Sequence, residues 1–188
     1  MSEQNKKDDV QVNKAAIKLI HADGFFPKKE AEDLCSVVDG LQYVERPYGL
    51  EVPDFNLVFP GMDGVFSKML GEDVVVDHRR SGIIRKPFNN FIHFEHFDNL
   101  NEWCFVIALQ DTTFNTYHHV KDVRFNDYNQ VDAKTVLDGY QFNYRNLFEW
   151  DVTTNVRMEA NQGVFFRPWV FHSFEHGVVQ YYRLIPRV

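Results

Sequence analysis

Apolar residues recur at two spacings along this chain, and the change from one to the other divides it near Val74. Between Gly24 and Gly40, Ala31, Leu34, Cys35 and Val38 fall at helical spacing, continued by Leu41. Pro27 suits a first helical turn and Gly40 a stop, so this stretch predicts a helix. Asp63–Leu70 predicts a second short helix ending at Gly71, and the residues around Ala15–Ile20 a short strand or helix. The proline-containing stretch Tyr43–Phe59 reads as loop and extended chain. From Val74 onward the pattern is that of strands bounded by turn residues: Asp73–Asp77, Gly82–Arg85, Asn90–Phe97, Thr112–His119, Tyr140–Tyr144, Thr153–Met158, Gly163–Phe166 and Val178–Leu184. Trp103–Leu109 is a continuous apolar run, as expected of a strand buried on both faces. The polar stretch Lys121–Asp138 predicts a loop.

Helices first and many short strands afterwards predict a mainly β fold with flanking helices. The architecture expected is a double-stranded β-helix, a jelly roll or cupin-like barrel with the helices packed outside. Eighteen Phe, eight Tyr and three Trp favour the same reading, because flat bulky side chains pack well on a pleated surface. Residues 1–12 are polar and charged and are expected to be disordered. No repeat or Pro/Gly/Ser linker divides residues 13–188, which are expected to form one domain.

Charge and cysteine content narrow the possible partners. The formal net charge is −7, and no basic stripe with interleaved aromatics is present, so a nucleic-acid partner is not expected. No apolar run approaches the ~18–20 residues needed to span a bilayer, and Met1–Asp9 is too polar for a signal peptide. Cys35 and Cys104 lie in apolar patterns and read as buried free thiols, which fits a reducing cytoplasm. Seven of the eight histidines fall between His78 and His176, and most of these must be structural or merely exposed.

Two segments carry candidate chemistry. Phe91-Ile-His-Phe-Glu-His-Phe-Asp98 contains a His-x-carboxylate pair twice, as His93/Glu95 and as His96/Asp98. Phe165-Phe-Arg-Pro-Trp-Val-Phe-His172 ends an apolar run in a histidine, and Arg183 follows eleven residues later. Two histidines and one carboxylate form the facial triad of non-haem Fe(II) sites, and a nearby arginine suits a cosubstrate that bears a carboxylate. Residues i and i+2 of a strand share a face, so only one of the two pairs can point into a barrel. Parity does not choose between them. His96/Asp98, at the strand end where a barrel mouth would lie, is placed ahead, with His93/Glu95 as the alternative. Taken singly, each of these histidines is better explained by a hydrogen-bonded core or surface position.

The combination of His-x-Asp/Glu, a distant second histidine and an arginine about ten residues beyond it resembles the 2-oxoglutarate/Fe(II)-dependent oxygenase superfamily. The resemblance covers about Phe26 to Arg183. It implies that His96, Asp98 and His172 (or His93 and Glu95 in place of the first two) bind Fe(II). Arg183 would hold the distal carboxylate of 2-oxoglutarate. It also implies O2 as a reactant, conversion of 2-oxoglutarate to succinate and CO2, and hydroxylation of a small molecule or a protein side chain. Thr112-Thr-Phe-Asn115 stands where that family often has Gly-Gly-x-Leu. Two other readings remain open. One is a cupin-type metalloprotein that does not use 2-oxoglutarate, suggested by the spacing of Gly163, Pro168 and His172. The other is a non-catalytic jelly-roll binding protein. Substrate contacts are expected from Tyr43–Phe59 and Lys121–Asp138, and Arg167 is expected either to contact substrate or cosubstrate or to form a surface ion pair.

Overall fold

A strand buried on both faces needs cover from both sides, and the protein is arranged around three such strands, Trp103–Ala108, Gly163–Phe166 and most of Val178–Pro186. A computed structural model of the chain describes residues 19–46, 49–52, 57–85, 92, 98–99, 101–120 and 149–188. Among these the chain forms ten strands: β1 (Leu19–Ala22), β2 (Val44–Arg46), β3 (Gly49–Val52), β4 (Val74–Arg85), β5 (Trp103–Ala108), β6 (Thr112–His119), β7 (Trp150–Met158), β8 (Gly163–Phe166), β9 (His172–Phe174) and β10 (Val178–Pro186). Helix α1 spans Lys28–Val37 and runs into a 3-10 turn at Val38–Gly40, and α2 spans Met62–Leu70. The large sheet has the order β1-β8-β5-β10-β4-β3-β2, and the small sheet β7-β6-β9. Every pairing is antiparallel. Two such sheets, with helices on the outside of the larger, make the expected jelly roll.

Alternation along β5, β8 and β10 separates two cores. Trp103, Phe105, Ile107, Phe165, Val178, Tyr182 and Leu184 face the helices, where they pack with Ala31, Val38, Met62, Phe66 and Leu70. Cys104, Val106, Ala108, Val164, Phe166, Val179 and Tyr181 face the small sheet and meet Phe114, Met158 and Phe174. The helix-side core is centred on Phe66, whose ring lies 5.3 Å from Phe25, Phe105 and Tyr182. Each fully buried ring of this kind contributes about 1.5–3 kcal/mol relative to exposure.

Local polar contacts attach the helices to the sheet. Asn161, in a left-handed turn between β7 and β8 (φ 73°), accepts the Phe26 N–H and donates to the Phe26 carbonyl, at 2.7 and 2.8 Å. This fixes the chain entering α1. Pro27 takes the N-cap position, one residue before the helix proper. Helix α2 ends at Gly71 in the left-handed conformation, whose N–H bonds the Ser67 carbonyl. Ser67 and Val74 then exchange hydrogen bonds through the Ser67 hydroxyl, joining the helix to the start of β4.

Several sequence expectations change in detail. Asp73–Asp77 and Gly82–Arg85 are one strand, β4, interrupted by a bulge. Tyr181 pairs with Gly82 and Arg183 with Asp77, so His78–Ser81 stand opposite Tyr182 alone. Tyr43–Phe59 contains the hairpin β2–β3, and Tyr43, Leu57 and Phe59 pack on the helix-side core. Gln180 Oε1 accepts the Leu57 N–H and Tyr182 donates to the Leu57 carbonyl, which holds that segment to the same face. Tyr43, Leu57 and Phe59 thus lie on the helix side of the large sheet, opposite to Arg183, while the β2–β3 hairpin forms the edge of that sheet. The expected strand Tyr140–Tyr144, the loop Lys121–Asp138 and residues 1–12 lie outside the described residues, as does Asn90–Phe97 apart from Ile92.

Two outcomes test this packing. Phe66→Ala should lower the unfolding free energy by about 3–5 kcal/mol, read from urea titration. A loss below about 1 kcal/mol would mean that α2 does not cover the sheet as described. Burial also pushes the Tyr182 phenol well above its ordinary range. An unfolded tyrosine ionises near pH ~10 while the buried one keeps its proton, so this contribution is complete below pH ~10 and lost as pH rises further. Thermal unfolding from pH 9 to 11 should therefore fall less steeply for Tyr182→Phe than for the wild type, and equal slopes would count against it.

Candidate functional site

His172 opens β9, directly opposite Thr116 of β6. It is buried, and its imidazole is surrounded by Phe166, Phe114 and Phe174, with ring centroids at 4.5, 5.8 and 5.8 Å. Nδ1 lies 2.9 Å from the Val170 carbonyl. A carbonyl oxygen only accepts, so Nδ1 carries the proton and the neutral ring has its lone pair on Nε2. The turn that supplies this carbonyl is closed by the Val170 N–H donating to the Arg167 carbonyl at 2.9 Å.

Arg183 reaches the same inner face from β10. Along the large sheet it pairs with Cys104, which pairs with Phe166. The row Arg183, Cys104, Phe166 therefore runs across three strands to the ring that touches His172. Arg183 thus lies two strands, or about 10 Å, from Phe166, the large-sheet residue whose ring meets His172 of the small sheet. The β4 bulge removes the ladder partner of the Arg183 N–H, and the Ser81 hydroxyl accepts it instead at 3.0 Å. Nη1 of Arg183 donates to Cys104 Sγ at 3.2 Å, and Cys104 Sγ is 3.1 Å from the Tyr181 hydroxyl. Both cysteines are free thiols.

A buried acid stands beside the arginine. Glu102 Oε2 lies 3.5 Å from Arg183 Nε, and 3.4 Å from Nη1 of Arg80 on the bulge. Glu102 Oε1 accepts the backbone N–H groups of Asp98 and Asn99, each at 3.0 Å. Arg80 also holds Asp77 at 2.7 Å. Burial raises the Asp77 pKa, but the hydrogen bonds from Arg80 and from the Arg79 backbone outweigh it and leave the carboxyl below the usual range.

The other predicted site residues are distributed as follows. Asp98 is 71% exposed at its side chain, with Oδ2 3.4 Å from Arg80 Nη1. His93, Glu95 and His96 lie outside the described residues. Among the described residues no group of three or more His, Cys, Asp or Glu side chains is placed to hold a metal. Arg167 is neither a surface ion pair nor an exposed contact. It is fully buried, with its guanidinium 3.6 Å from the Trp103 ring, Nη1 donating to the Glu102 carbonyl at 3.0 Å and Nη2 3.7 Å from Glu72. Burial brings its pKa down to about 10, partly offset by Glu72, so it remains a cation at neutral pH. Asn115 donates to Glu175, the Tyr117 hydroxyl meets Ser173, and His118 is 3.5 Å from Asp151. Glu102 is not singled out in the sequence, and Cys104 only as a buried thiol, since their place beside Arg183 depends on the register of β5 against β10.

No protein-family model matches the chain, and no curated protein matches it in sequence. Solved structures do match in fold. HygX from Streptomyces hygroscopicus, with nickel and 2-oxoglutarate bound, is 10% identical over 90% of this chain and 83% of its own, with a TM-score of 0.54. SnoN, a non-heme alpha ketoglutarate dependent epimerase from nogalamycin biosynthesis, is 13% identical over 90% of this chain and 76% of its own, at TM-score 0.55. AviO1 from Streptomyces viridochromogenes Tue57 is 12% identical over 88% of this chain and 89% of its own, at TM-score 0.52. The chain shares the jelly-roll fold of these proteins. No described helix is long and apolar enough to cross a membrane.

Arg167→Met should remove the cation from Trp103 and leave Glu72 without its charged partner. Because Glu72 is partly exposed, the expected cost is about 2 kcal/mol, below the ~3–5 of a fully buried broken pair. Urea unfolding followed by tryptophan fluorescence measures it. An unchanged midpoint would show that the stack contributes nothing.

Proposed function

We propose that this protein is an Fe(II)- and 2-oxoglutarate-dependent oxygenase that hydroxylates a small molecule. The observation that carries the reading is that the inner face presents both His172 and Arg183, joined through the row Cys104–Phe166. The first has its Nε2 lone pair set by the Val170 carbonyl, and the second is a buried arginine. HygX, which shares the fold, holds nickel and 2-oxoglutarate, and in another crystal also hygromycin B. This supports a small molecule over a protein side chain. SnoN and SnoK are named an epimerase and a carbocyclase, so the fold serves more than one outcome, and hydroxylation is the one proposed here.

The donor set suits the metal. A neutral imidazole with Nδ1–H held by a backbone carbonyl is the usual form of a metal-binding histidine, because the hydrogen bond sets both tautomer and ring direction. The three phenylalanines around His172 limit ring motion further. The remaining ligands would come from His96 and Asp98 or from His93 and Glu95. Asp98, exposed and against Arg80, would have to leave that contact to serve, and this weighs for the pair His93/Glu95. Arg183 is a permanent planar cation suited to the distal carboxylate of 2-oxoglutarate. When bound, Fe(II) with 2-oxoglutarate and O2 supplies the oxidising chemistry, with succinate and CO2 as coproducts. The protein's part is to orient these groups and to keep water away with Phe114, Phe166 and Phe174. The two free thiols suit a reducing compartment such as the cytoplasm.

His172→Ala should abolish tight Ni(II) or Fe(II) binding. Arg183→Ala should keep the metal and weaken 2-oxoglutarate binding by at least tenfold, the loss of about 1.4 kcal/mol expected of a charge-assisted contact. Comparison of Glu95→Ala with Asp98→Ala identifies the carboxylate. Full metal affinity in His172→Ala would sink the reading.

A further inference from the structure

Arg183 is not a lone cation in the inner face. Its Nε lies 3.5 Å from Glu102 Oε2, and both side chains are only 2% exposed. Glu102 is anchored, because Oε1 accepts the Asp98 and Asn99 N–H groups and the Glu102 carbonyl accepts from Arg167. It therefore cannot swing aside when another anion approaches Arg183. A carboxylate fixed beside a buried guanidinium offsets part of the charge that an incoming carboxylate would feel, and water screens this offset little at such burial. Asp77 and Asp98 also surround Arg80, but their side chains are more exposed and their charges better screened. Arg80 Nη1 lies 3.4 Å from the same Oε2 and offsets part of its charge.

We propose that Glu102 is a resident counter-anion that sets how tightly Arg183 holds the distal carboxylate of 2-oxoglutarate, and that Arg80 relieves this effect by neutralising part of Glu102. The inference rests on the 2-oxoglutarate reading above. It gives Glu102 and Arg80 opposite signs. Removal of the Glu102 charge tightens cosubstrate binding, whereas removal of Arg80 loosens it. If Glu102 served only to hold Arg183 in place, its removal would loosen binding. Glutamine retains an Oε1 acceptor for the two backbone N–H groups, so Glu102→Gln removes charge while sparing that anchor.

The test is calorimetric titration of 2-oxoglutarate into Ni(II)-loaded wild type, Glu102→Gln, Arg80→Gln and Arg46→Gln. Arg46 pairs with Glu51 on the edge hairpin and controls for net charge. Glu102→Gln should bind at least about tenfold more tightly, since one unit charge about 6–8 Å away at an effective dielectric of about 20 is worth roughly 30–100-fold and Arg80 offsets part of it. Arg80→Gln should bind several-fold more weakly, and Arg46→Gln should match the wild type. Equal or weaker binding by Glu102→Gln with native circular dichroism would overturn the proposal. Should Glu102→Gln not fold, Arg80→Gln decides alone, and unchanged affinity there overturns it. If the wild type binds metal but no 2-oxoglutarate, the oxygenase reading itself falls and the inference with it, an outcome distinct from equal binding by all four proteins.

Discussion

Burial of β5, β8 and β10 on both faces is the constraint on which the rest depends. The helix-facing side of these strands is almost wholly aromatic and aliphatic. The other side admits Cys104, Tyr181 and Arg183 at one end among apolar neighbours. A slip of one residue in β10 would turn Arg183 toward Phe66 and Phe105 and bring Tyr182 to the small sheet. A buried cation among rings without its acid would cost several kcal/mol, so the register is strongly specified. The same packing that holds the fold together thus determines which side chains meet at the candidate site.

The β4 bulge does for the charged groups what alternation does for the apolar ones. Four residues opposite one carry Arg80 toward Glu102 and leave the Arg183 N–H to the Ser81 hydroxyl. Bulges commonly re-aim side chains next to functional sites, at a small cost in ladder hydrogen bonds. Glu102 then links three features that are distant in sequence: the turn after Phe91–Asp98, the bulge and Arg183. Arg167, stacked on Trp103 and bonded to the Glu102 carbonyl, closes this network from the helix side and begins the turn that fixes the His172 tautomer.

Much of this was legible in the sequence. Both helices, the doubly buried strand at Trp103 and the closing strand at Val178 followed from spacing, because a period of 3.6 or a solid apolar run survives any register. His172 and Arg183 could be singled out by residue type and separation. Three features could not be read. The β4 bulge joins two apparent strands through His78-Arg79-Arg80-Ser81, which resemble a turn until a partner strand is known. β9 is too short to show a period. Glu102 sits before an apolar run like any turn residue, and only the pairing of Cys104 with Arg183 reveals it as a buried acid. Arg167 illustrates the same limit, since its stacking on Trp103 joins residues 64 apart.

On the proposed reading, His172 holds the metal and Arg183 the cosubstrate of one bound chelate on the inner face. The most direct test of that reading is anaerobic addition of Fe(II) and then 2-oxoglutarate to metal-free protein, followed by visible absorption. The wild type should show a weak charge-transfer band that is absent in His172→Ala and needs far more 2-oxoglutarate to appear in Arg183→Ala. Stoichiometric metal binding with no band in the wild type would rule out 2-oxoglutarate chelation and favour a metalloprotein that does not use it.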